Sequence, residues 1–231
     1  MKGKKPRAFS RKEQSPPRAK DSSGARFSEL AASLAEIGRG FYARGWALGT
    51  SGNFSVVVRR EPLRLAITST GLDKASLTPE QILEVDEAAR VVRGSGRPSA
   101  ETSIHLAIAR VTGAGAVLHT HSVCSTVLSG LYAAKGGVLL EGYEMLKGLQ
   151  GVTSHEHREW LPIVENSQDM ARLSQTVAEI LAQQPGIHGF LLRQHGLYTW
   201  ATELAEAKRH VEILEFLAEV MVRSSALGHR G

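Results

Sequence analysis

The sequence predicts a layered α/β domain in which helices flank a central, mostly antiparallel sheet. Three observations lead there. Short β-rich runs occur as neighbouring pairs separated by polar turns, the pattern of hairpins. Apolar residues recur at spacings of three and four in several longer stretches, the pattern of amphipathic helices. At 231 residues the chain suits one substantial core better than two small ones.

Taken in order, the folded part starts near Phe27. Residues 27–46, FSELAASLAEIGRGFYARGW, place Phe27, Leu30, Leu34, Ile37 and Phe41 on one helical face, and Gly45 suits that helix's end. FSVVV and LRLAITS, separated by RREP, read as a hairpin. Thr78, Pro79 and Gln81 make a capping-box start for a short helix ending near Leu83. LEVDEAARVVRG suits a pair of short edge strands. Ser99 is placed to cap a helix through AETSIHLAIARV, with Ile104, Ile108 and Val111 on one face. AVLHTHS is a strand and a turn, and a helix follows through SVCSTVLSGLYAA. WLPIVEN is a strand interrupted by proline. Met170, Leu173, Val177 and Leu181 form one stripe of a further helix. HGFLLRQHGLYTW reads as two strands broken at Gly196. A last helix, from about Glu203 to Val222, aligns Leu204, Ala207, Val211, Leu214 and Met221.

Charge is unevenly placed. Residues 1–26 hold nine Lys or Arg against two acids, a net of +7, while the remainder holds 19 against 21, a net of −2. The basic character belongs to a tail rich in Pro and Ser, which has too little apolar surface to offset its ordering entropy and is expected to be disordered. The domain itself is slightly acidic, so nucleic acid is not an expected partner. Nothing approaches a run of about 18 apolar residues, which speaks against a membrane span. No apolar segment follows the basic start, so no secretory signal is expected. Cys124 is the single cysteine, which excludes an internal disulfide and fits a cytoplasmic protein. Beside Val123 and Val127 it reads as packing, not as a nucleophile.

Chemistry concentrates at histidines. On a strand, residues i and i+2 share a face roughly 7 Å apart, so His119 and His121 can reach one ion at about 2.0–2.1 Å from each nitrogen. Two hydrogen-bonded histidines closing a strand would satisfy the same pattern, and the pair alone leaves both readings open. His155 and His157 repeat the spacing, but Glu156 and Arg158 beside them mark a solvated loop. His195 closes the apolar run GFLL before Gly196 and is the natural third imidazole, since a catalytic zinc wants three protein ligands and an open position. His105 in mid-helix, His210 on a charged helix and His188 at a strand start have ordinary structural readings. His121 and His195 lie 74 residues apart, so spacing by itself stops at a candidate mononuclear site.

GTSGNFS, ITSTGLDK, PSAETSIHLAI, AVLHTHS and LLRQHGLYTW, in this order, resemble the class II aldolase/adducin superfamily. EGYEMLKGL, TSHEHREW and LPIVEN narrow the resemblance to the branch that dehydrates 5-methylthioribulose 1-phosphate in methionine salvage. It runs from about Phe27 to the final helix, with Ala201 standing where glycine is expected. The resemblance implies a class II aldolase-like fold, usually a homotetramer with sites near subunit boundaries. It implies one Zn2+ per subunit on His119, His121 and His195, and a small phosphorylated ketose as substrate.

Such a reaction needs a carboxylate to take and return a proton. Glu144, in YEMLKG, matches the branch's acid/base position and is favoured. Glu101, in SAET, matches that of the related aldolases and is expected as a second carboxylate near the metal. Ser51, Asn53, Ser69, Thr70 and Gly71, in two small-residue turns, are expected to line the phosphate site, with Lys147 as a further charge partner. A sugar-phosphate aldolase or epimerase would share every metal ligand, and a non-catalytic adducin-head-like module would share only the fold.

Overall fold

The computed structural model describes residues 22–228. The elements run α1 (Ser22–Ala43), β1 (Asn53–Arg59), β2 (Arg64–Thr68), β3 (Ile82–Asp86), β4 (Val91–Arg93), α2 (Thr102–Thr112), β5 (Ala116–Thr120) and α3 (Val123–Leu131). They continue with β6 (Gly137–Glu141), β7 (Arg158–Val164), α4 (Met170–Gln183), β8 (Gly189–Leu192), β9 (Gly196–Ala201) and α5 (Leu204–Ala226). Nine strands form one sheet in the order β4-β3-β2-β1-β5-β9-β8-β7-β6. Every neighbouring pair is antiparallel except β7 and β8. The predicted class and hairpins are therefore found.

Helices cover both faces. On one, α2 and α4 bury Ile104, Ile108, Leu173, Val177 and Leu181 against Val117, Phe190, Tyr198 and Trp200. On the other, α1 and α5 bury Leu34, Phe41, Ala207 and Val211 against Phe54, Val56, Ala116 and Leu118, while α3 and α5 enclose Leu140, Leu191 and Leu197. Strand alternation in β5 follows from this. Ala116 and Leu118 face α1 and α5, whereas Val117 faces α2 and α4.

Several expectations change. The tail reading for residues 1–21 lies outside the described residues, and residues 22–26 belong to α1. The start at Thr78 yields only a 3-10 turn, Pro79–Gln81, in which Gln81 Oε1 accepts the Thr78 N–H at 3.0 Å. Ile82 and Leu83, both buried, instead open β3. Ser99 does accept the Glu101 N–H through Oγ at 3.2 Å, but the helix begins at Thr102. Val111 is exposed where a buried position was expected. Strand β6 went unpredicted. Val123, Val127 and Leu131 form an exposed apolar stripe on α3, just past His121.

Candidate metal centre and active site

The sheet register assembles the site. Asn53 on β1 pairs with His119 on β5, which pairs with Tyr198 on β9. His119 shares the Val117 face and looks toward the start of α2, where Glu101 sits. His121 follows the strand's end, held by its N–H on the Trp46 carbonyl at 2.7 Å. His195 lies in the turn between β8 and β9, with its carbonyl accepting the Thr126 hydroxyl at 3.0 Å. Two glycines allow this close approach. A Cβ on Gly196 would stand 2.0 Å from the Thr120 carbonyl oxygen and 3.3 Å from the His119 ring. A Cβ on Gly52 would stand 2.9 Å from the His119 carbonyl, and its φ of +75° is one that glycine adopts freely.

The three imidazoles converge through their Nε2 atoms. His195 Nε2 lies 3.3 Å from His119 Nε2 and 3.2 Å from His121 Nε2. Glu101 completes the group, with Oε1 3.3 Å from His195 Nε2 and Oε2 3.7 Å from His119 Nε2. His119 Nδ1–H donates to the Leu197 carbonyl at 2.9 Å, which leaves its Nε2 lone pair pointing inward. Its ring stacks on Tyr198 with centroids 3.8 Å apart.

Electrostatics keep His119 and His121 neutral. Burial, then the neighbouring imidazoles, push His119 well below its usual value, and the same causes hold His121 at about 3. The arrangement fits a divalent ion. Four donors at about 2.0–2.1 Å around a tetrahedral zinc stand about 3.3 Å apart, close to the observed spacings. Three imidazole nitrogens stand this close together, and His119 Nε2 is without its proton, which makes them a donor set for a cation.

A buried polar chain orients Glu101. Asn53 Nδ2 donates to Glu101 Oε2 at 2.6 Å, and Asn53 Oδ1 bonds His105 Nε2. His105 Nδ1 takes the Ser55 hydroxyl at 2.7 Å. Burial holds His105 at about 4, so it is neutral, donating through Nε2 and accepting through Nδ1. This fixes which way the Asn53 amide faces. His105 was given a plain structural reading in the sequence, and its position four residues after Glu101, one helical turn, was the signal for this role.

Other expected residues are placed differently. Asn53's carboxamide, expected at phosphate, is engaged with Glu101 and His105. Ser51, Ser69, Thr70 and Gly71 do lie in two turns brought together by Lys74, a residue the sequence reading passed over. Its buried ammonium donates to Thr50 O at 3.2 Å and Leu72 O at 2.9 Å. Glu144 is exposed and pairs with Lys147 and, at 4.0 Å, with His155. It follows the end of β6 that pairs with the start of β7, whereas His195 follows the ends of β7 and β8. Glu144 and Lys147 thus sit at the opposite end of the sheet from their own chain's imidazoles. Cys124 packs beside the α3–α5 cluster, and burial, with Glu219 and Glu215, raises its thiol pKa, as suits a packing role.

His157 joins Glu159 and His188 in a second cluster, while His155 stays outside it. Here both nitrogens of His188 bond oxygen, Nδ1 to Glu159 Oε2 at 2.9 Å and Nε2 to Gln150 O at 2.8 Å. Both must be donors, so this is a buried ion pair and not a ligand set. Burial opposes both charges, yet the hydrogen bond and charge between the partners prevail: His188 is raised and Glu159 lowered. Glu159 therefore contributes stability that is present above its ordinary 4.5 and lost as pH falls through its lowered value. The contribution of His188 is present below its ordinary 6.5 and lost as pH rises through its raised value. Glu159→Gln is expected to cost about 1–3 kcal/mol in urea unfolding between those two pH values, with a smaller loss on either side. A loss independent of pH would show that the pair is not charged.

The fold and this imidazole–carboxylate cluster define a protein of the aldolase type, and the chain belongs to the Class II Aldolase and Adducin N-terminal domain family, which matches residues 32–222. Among relatives, it is 45% identical to the methylthioribulose-1-phosphate dehydratase of Methylococcus capsulatus, over 85% of this chain and 95% of that one. It is 48% identical to the protein of the same name from Pectobacterium atrosepticum, over 75% and 84%. Among solved structures, YgbL from Escherichia coli superposes with a TM-score of 0.72 at 27% identity, covering 86% of this chain and 90% of that one.

Proposed function

We infer that the protein is a lyase that removes water from 5-methylthioribulose 1-phosphate to give 2,3-diketo-5-methylthiopentyl 1-phosphate, a step of methionine salvage. The observation that carries this reading is the convergence of His119, His121, His195 and Glu101, in a chain so similar to dehydratases of that name. A free thiol at Cys124 accords with the cytoplasm.

One Zn2+ per subunit, held by His119, His121 and His195, would supply Lewis-acid stabilisation of charge developing on the ketose oxygens. The remaining work is proton transfer. The C3 hydrogen, α to the C2 ketone, passes to a carboxylate. The C4 hydroxyl takes a proton and leaves as water. The resulting enol gives up its hydroxyl proton and gains one at C4, becoming the second ketone. Glu101 stands beside the imidazoles with one oxygen already fixed by Asn53, which suits the first transfer.

Glu144 we assign to acid/base work at a neighbouring subunit's site within a homotetramer, because it is exposed and far along the sheet from its own imidazoles. The apolar stripe of Val123, Val127 and Leu131 beside the site supports such a boundary. Lys147 would accompany Glu144 there. Ser51, Ser69, Thr70 and Gly71, in the turns joined by Lys74, are assigned to the phosphate, with Asn53 bracing the carboxylate beside them. Incubation with 5-methylthioribulose 1-phosphate should yield a product lighter by one water. Cleavage of a carbon–carbon bond would instead establish an aldolase.

A further inference from the structure

Glu215, on α5, is 2% exposed, and among the described residues its carboxylate has only hydroxyl partners in hydrogen-bond range. Oε1 accepts from Thr120, while Oε2 accepts from Ser122 and, at 2.8 Å, from Ser125. Thr120 stands between His119 and His121. Ser122 is the next residue and also caps α3, accepting the Ser125 N–H at 3.0 Å. One buried carboxylate therefore grips, from the opposite face of the sheet, the segment that carries two of the three imidazoles.

Burial raises the carboxyl's pKa, and the three hydroxyls pull the other way. No ion pair to Glu215 is present among the described residues, so the group is costly as a stabiliser, and apolar packing would serve the core at least as well. What the arrangement does offer is geometry. Strand alternation sends Thr120 to α5 when His119 faces α2, so anchoring Thr120 fixes the rotation of the strand about its axis. Anchoring Ser122 fixes the turn from which His121 projects. Metal donors must be held within about 0.5 Å to bind well.

Resting on the metal reading above, we propose that Glu215 is a positioning residue that sets the His119 and His121 geometry for the metal through Thr120 and Ser122. The test is zinc affinity of the full-length protein, measured by competition with a chromophoric chelator at a temperature where each variant is folded, alongside the Tm of the apoprotein. Glu215→Gln keeps the side-chain shape and is expected to weaken zinc binding by about 10- to 100-fold, the size of effect usual for groups that orient metal ligands. Thr120→Val removes one of the three bonds and should weaken zinc less, and the double variant should lose no more than Glu215→Gln alone. If Glu215→Gln does not fold, Thr120→Val and Ser122→Ala carry the test. Zinc affinity within twofold of the parent in the folded variants, whatever happens to Tm, would reduce Glu215 to a structural role. A parent chain that binds no zinc would overturn the metal reading itself.

Discussion

His119→Ala is expected to lower turnover of 5-methylthioribulose 1-phosphate by at least about 10³-fold, as several kcal/mol of Lewis-acid stabilisation disappears. The substitution removes more than one of three donors. His119 Nε2 is the atom we assign to the metal, its lone pair oriented by the Leu197 carbonyl and its ring backed by Tyr198. His121→Ala and His195→Ala should act similarly, since each Nε2 closes one side of the same group. All three variants should lose zinc together with activity, measured by elemental analysis and steady-state kinetics on the same preparations. Full zinc content with lost activity would mean that these imidazoles act on the substrate and not on a metal.

Glu101→Gln should behave differently. The amide preserves volume, and the imidazoles remain in place, so zinc is retained. The proton acceptor is gone, which should lower kcat by about 10²- to 10⁴-fold. Glu144→Gln should lose a comparable amount through the neighbouring site. Because the two carboxylates stand at opposite ends of one chain's sheet, subunits carrying the separate changes should complement each other when mixed. A Glu144→Gln enzyme of normal rate, with mixed assemblies active only in proportion to their Glu144→Gln subunits, would leave Glu101 as the sole acid/base.

Much of the fold was legible because it depends on local pattern. Paired β-rich runs gave β1 to β4, and the i, i+3, i+4 stripes gave α1, α4 and α5. Strand β6 was missed although GVLL stands between glycines, because a short apolar run carries no alternation to separate strand from helix. The turn at Pro79 was overextended because its capping residues are genuine while the residues after it are claimed by the sheet. Val111 keeps the helical spacing of Ile104 and Ile108, yet at the last turn of α2 it is exposed.

At the site, the three histidines could be found because each closes an apolar strand. The groups that orient them could not. Glu215 reaches Thr120 across 95 residues, and His105 reaches Asn53 across 52, so neither contact has a local signature. Asn53 opens β1 beside a turn expected at phosphate, but its side-chain direction is fixed by Glu101 and His105, 48 and 52 residues away. Glu144 shows the same limit from the other side, since the YEMLKG motif names the residue while its place along the sheet depends on how β6 pairs with β7.

The most direct measurement is elemental analysis of the purified chain beside the variant with His119, His121 and His195 all changed to Ala. One divalent ion per parent chain and none in the triple variant is the predicted result. Equal metal content in the two would contradict the account.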